Sequence, residues 1–70
     1  MTPAQFKAIR NRYGLSQSDL ASLLRLSDGR TIRRYEDGSR EISGPVSIIL
    51  ELMDADELPN RFWPQYGEGE

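Results

Sequence analysis

Apolar positions recur along the first fifty or so residues at the spacing of short amphipathic helices, with glycine and polar clusters between them. Phe6, Ile9 and Tyr13 follow Thr2-Pro3-Ala4-Gln5, in which Thr2 can cap, Pro3 suits the first helical position and Gln5 can reach back in a capping box. This predicts a first helix over residues 3–13, stopped by Gly14 in the left-handed conformation. Ser16, with Asp19 three positions on, is the next cap, and Leu20, Ala21, Leu23 and Leu24 form the inward face of a second helix over 17–24. A turn follows in which Ser27 or Asp28 is expected to cap a third helix, Arg30 to Asp37, burying Ile32 and Tyr35 and ending at Gly38.

A polar loop, Ser39–Gly44, holds one apolar anchor, Ile42. Pro45 is expected to start a fourth helix, where Val46, Ile49, Leu50 and Met53 make a complete i, i+3, i+4, i+7 stripe. Ile48 and Leu52 lie on a second face, so this helix is more apolar than one core contact requires. Beyond Leu58 two prolines, two glycines and no helical period predict an extended or partly ordered tail. The expected organisation is a helical domain over 1–57 and an acidic, aromatic tail over 58–70.

Length and composition narrow the chemistry. Seventy residues make one domain at most, and the absence of Cys and His removes disulfides and Cys/His zinc sites. No cofactor is expected. No apolar run is long enough to span a bilayer and the N-terminus does not resemble a signal peptide, so a cytoplasmic protein is expected. Without His or Cys as base or nucleophile, with carboxylates at caps and helix ends, and with little room for a substrate pocket, the chain does not read as an enzyme or as a binder of small molecules.

The net charge of −2 averages two unlike halves. Residues 1–44 hold eight cations against five anions, and residues 45–70 hold one cation against six anions. A mildly basic head is therefore joined to an acidic tail, and the local field of the head is what a nucleic acid would meet.

The stretch L-S-Q-S-D-L-A-S-L-L from Leu15, then T-I-R-R-Y-E-D-G from Thr31 and I-S-G-P-V from Ile42, resembles the lambda-repressor/Cro type of helix-turn-helix. The resemblance runs from Phe6 to Leu52 and implies an all-α bundle of four or five helices whose third helix enters the DNA major groove. It implies a sequence-specific regulator, expected to be a repressor, with double-stranded DNA as partner. Two departures stand out. Arg25 occupies a turn position where most members have Gly, and one extra residue lies between Ser27 and Thr31. Gly29 is expected to absorb it by adopting angles other residues resist.

Outward positions on helix 3 make Arg30 and Arg34 candidates for guanine edges, Thr31 a methyl or hydroxyl contact, and Arg33 a backbone contact. The competing expectation is that these arginines pair with Asp28, Glu36 and Asp37. Ser16, Gln17, Ser27 and Arg40 are candidates for the DNA backbone, with simple capping the alternative for Ser16. Arg10 and Glu36 match positions that bridge helix 1 to the end of helix 3 in family members. Lys7 and Arg12 read as surface charges.

Ile48, Leu52, Phe62, Trp63 and Tyr66 suggest a homodimer built by helix 4 and the tail; alternatively the tail folds back to complete the core. In a dimer two recognition helices would lie about 34 Å apart, one turn of DNA. The competing function is a protein-interaction module that uses helix 4 and the aromatic tail without specific DNA binding.

Overall fold

The computed structural model describes residues 1–63; Tyr66 and the rest of 64–70 lie outside the described residues. Four α-helices follow in order, α1 (Pro3–Arg12), α2 (Gln17–Leu23), α3 (Arg30–Asp37) and α4 (Gly44–Asp54), then a single 3-10 turn, Asn60–Phe62. No strand occurs among the described residues.

The caps set the boundaries. Thr2 Oγ1 accepts from the Gln5 amide at 3.1 Å, and Gln5 Oε1 accepts from the Thr2 amide at 2.9 Å, a closed capping box. Ser16 and Asp19 form the same reciprocal pair at α2, at 2.9 and 3.1 Å. Gly14 and Gly38 take the left-handed conformation that ends α1 and α3. α4 starts one residue before Pro45, at Gly44, with Ser43 as its cap.

The turn between α2 and α3 departs from expectation at three positions. Neither Ser27 nor Asp28 caps α3: the N-cap is Gly29, and Asp28 Oδ1 instead accepts from the Arg30 amide at 2.9 Å. Gly29 has an ordinary φ of −81°. Its lack of a side chain matters for room, since a Cβ there would lie 3.2 Å from the backbone of both Gln17 and Ser18. The left-handed residue is Arg25, at φ 64°, a conformation that crowds an L side chain. Gly29 thus lies close against the start of α2.

Phe6, Leu20, Ile32, Leu50 and Met53 are fully buried at the centre, joined by Ile9, Leu15, Ala21, Leu23, Tyr35 and Leu58. Each large apolar side chain so buried contributes about 1.5–3 kcal/mol. α3 packs against α1 and α2, and α4 against α1. The Phe6 and Tyr35 rings meet edge to face, 5.5 Å apart, which fixes α3 on α1.

Arg12 is not a plain surface charge. Its guanidinium donates to the Asp54 carbonyl at 3.0 Å and carboxylate at 2.7 Å, and reaches Asp56 at 3.4 Å. The neighbouring Tyr13 hydroxyl donates toward the Met53 carbonyl and the Asp56 carboxylate, whose hydrogen bond raises the phenol above its usual pKa. The ends of α1 and α4 are thereby latched, although the exposed ion pairs themselves contribute little. Trp63 stacks on Tyr13 with ring centres 5.0 Å apart and donates from Nε1 to the Leu58 carbonyl at 3.3 Å.

The expectation that so short a chain offers little pocket is not met. An apolar groove of about 520 Å³ lies between the end of α2, α4 and the 3-10 turn. Leu23, Val46, Ile49, Leu52 and Phe62 line it, with Arg25 as its one charged residue.

Gly29→Ala should destabilise the fold by about 1–3 kcal/mol, because the added methyl meets packed backbone rather than a flexible side chain. A thermal melt coincident with that of the parent protein would contradict this account of the turn.

Candidate nucleic-acid interface

α3 has one inward and one outward side. Ile32 and Tyr35 are buried, and the Glu36 side chain is only 5% exposed. Glu36 is held by a network that joins three elements. Arg10 Nε donates to Glu36 Oε2 at 2.5 Å and Arg10 Nη2 to Oε1 at 3.0 Å, a two-pronged pair between α1 and α3. Arg10 Nη1 donates to the Leu15 carbonyl at 2.7 Å, fixing the entry to α2. Gln17 Nε2 donates to Glu36 Oε1 at 3.2 Å from α2 itself.

The opposite side of α3 is basic. Arg30, Arg33 and Arg34 are all exposed, and the Arg30 side chain is 83% exposed. Arg30 lies 3.9 Å from Asp28, the limit of an ion pair. Among the described residues no carboxylate comes within 4 Å of Arg33, Arg34 or Arg40. The expected competition from Asp28, Glu36 and Asp37 therefore takes only one loose form, while Glu36 is committed to Arg10 and Gln17. Thr31 is half-buried beside them. The Arg40 amide donates to the Arg34 carbonyl at 3.2 Å, which brings the exposed Arg40 against the end of α3.

Ser16 and Gln17 already have internal partners. The Ser16 hydroxyl accepts from the Asp19 amide, which leaves its own hydrogen to donate; the Gln17 carboxamide keeps one N–H beyond the bond to Glu36. Ser27 is exposed and makes no cap bond. On the far side, Leu52, Phe62 and Trp63 pack against the core, whereas Ile48 is 59% exposed. The latch of Arg12 and Tyr13 onto Asp54 and Asp56, the bond from Gln17 to Glu36, and the groove beside Arg25 carry no sequence signal. Each joins residues distant in sequence, or depends on how elements pack.

Asp37 is the one acid on α3's outer side. Its Oδ1 accepts from the Ser39 amide at 2.8 Å. The Ser39 hydroxyl first, its amide next, and then the nearby Arg33 and Arg34 charges hold the Asp37 carboxyl below the usual range. Among the described residues no cluster of acidic side chains could hold a metal ion, and no helix is long and apolar enough to cross a membrane.

Two short helices joined by a tight turn, the second clamped from behind and carrying cations in front, define a helix-turn-helix module. The family model described as Helix-turn-helix, of the lambda-repressor/Cro type, matches residues 6–52, and the chain belongs to this family of DNA-binding regulators. No curated protein and no solved structure matches the chain significantly.

Arg10→Ala strips a nearly buried carboxylate and a carbonyl of their partner, and should cost about 3–5 kcal/mol of stability. An unchanged melting temperature would refute this. Because the Asp37 carboxyl is depressed in the folded state, its stabilising contribution is present above the ordinary carboxylate pKa and is lost as pH falls through the lowered value. Asp37→Asn should therefore flatten the acid end of the stability curve; an identical acid limb in parent and variant would show that titration of this carboxylate is not linked to stability.

Proposed function

We propose that the protein is a sequence-specific DNA-binding repressor of the cytoplasm that reads the major groove with α3. The carrying observation is the trio of exposed, loosely paired or unpaired arginines on a helix whose other side is locked to α1 and α2. Arg30 and Arg34 address guanine edges through their planar forks, with Thr31 beside them. Arg33 and Arg40 take phosphates, as do Ser16, Gln17 and Ser27 at the start of α2 and in the turn. Regulation follows from occupying the operator.

A homodimer would present two such helices about one DNA turn apart. Its interface is proposed on Ile48, Leu52, Phe62 and Trp63, with Tyr66 beyond the described residues. A second reading, a protein-interaction module without specific DNA binding, is favoured by the apolar groove on the α4 side, which no α3 residue lines.

Selection from a random duplex pool separates the two readings. A motif with palindromic halves supports the operator reading, and no enrichment even at low salt supports the module. Arg30→Glu with Arg34→Glu should abolish duplex binding while leaving the melting temperature within a few degrees, since both side chains are exposed. In the parent protein log affinity should fall against log salt with a slope of about −0.9 per phosphate neutralised. Normal operator binding by the double variant would remove α3 from the interface.

A further inference from the structure

Asp37 is hard to account for on a surface meant to meet phosphates. At about 100° per residue, Arg30, Arg34 and Asp37 fall within a sector of about 60° on the side of α3 away from Ile32. The two ends of that stripe are about 10 Å apart along the helix and opposite in charge. Arg30 stands at the N-terminal end, where the helix dipole is positive, and Asp37 at the C-terminal end, where it is negative. Asp37 is exposed, and among the described residues no cation lies within the 4 Å of an ion pair. Its hydrogen bonds from Ser39 leave the negative charge of the carboxylate in place.

We propose that Asp37 is a specificity-determining residue that acts by repulsion, disfavouring any docking of α3 that brings its C-terminal end against the DNA backbone. The inference rests on α3 being the DNA-facing helix. Non-specific binding is carried almost wholly by phosphate contacts and samples many orientations, so an anion at one end of the basic stripe weakens a large share of them. Operator binding uses a single orientation, with the N-terminal end of the helix against the base edges and the C-terminal end away from them. The carboxylate therefore subtracts more from random duplex than from the operator. It persists throughout the working pH range, because Ser39 and the neighbouring arginines favour its ionised form.

Asp37→Asn tests this in the full chain, since the amide oxygen can still accept from Ser39 while the charge is gone. The operator is first obtained by duplex selection with the parent protein. The variant should bind a random duplex about three- to fivefold more tightly at low salt, with a steeper salt dependence. The operator affinity should rise by less than twofold, so the ratio of specific to non-specific affinity falls. Asp37→Ala, which also removes the bond to Ser39, should lower the ratio in the same direction, and a melt of each variant reports on folding separately. Equal tightening on both duplexes, or no change on either, overturns the proposal. A weaker operator affinity with a changed preference at one base pair also overturns it, in favour of direct base contact by Asp37. If the parent protein selects no motif, the reading of α3 fails and the inference with it; a motif with an unchanged ratio sinks only the role given to Asp37.

Discussion

The fold depends on a nearly buried guanidinium. Arg10 ties α1 to Glu36 on α3 by two hydrogen bonds and to the Leu15 carbonyl at the entry of α2 by a third, while Gln17 closes the circuit from α2. An ion pair so removed from water gains little net energy from its charges, because desolvation offsets most of the attraction. What it supplies is geometry. A planar fork accepts few arrangements of its partners, so three short helices that could each slide on an apolar core are held in one register.

That register decides which side of α3 faces out. Tyr35 and Ile32 would bury themselves in several related packings, but Glu36 must also reach Arg10, and this fixes the rotation of the helix about its axis. Arg30, Arg33 and Arg34 are then exposed as a consequence of what lies behind them. None of these three needs an internal partner, so their charges remain available to an outside anion. The net negative charge of the chain is no obstacle, because the acids are concentrated beyond residue 44 and at structural positions such as Asp19, Asp54 and Asp56.

The turn between α2 and α3 brings Gly29 close against the backbone of α2. The absence of a side chain at position 29 spares a tight contact with α2's backbone, 3.2 Å from where a Cβ would stand, while the backbone angles there are ordinary. The left-handed residue is Arg25, whose side chain stands at the edge of the apolar groove. The latch of Arg12 and Tyr13 on the end of α4 works on the opposite flank. It holds α4 on α1 where the apolar contact alone is narrow, and Trp63 covers it.

Helix positions, the caps Thr2 and Ser16, the stops Gly14 and Gly38, and the inward faces of all four helices were legible in the chain, because each is set by neighbours within a turn or two. The arginines of α3 were legible as outward for the same reason: helical periodicity separates them from Ile32 and Tyr35. The reason for Gly29, the engagement of Gln17 with Glu36, the work done by Arg12 and the groove beside Arg25 were not. These depend on distances between segments far apart along the chain, and periodicity carries no information about how two helices approach. By itself the sequence determined which elements form and which side of each is apolar. Only the tertiary structure decided which charges were consumed in holding those elements together and which were left facing outward, because that choice is made by contact and not by spacing.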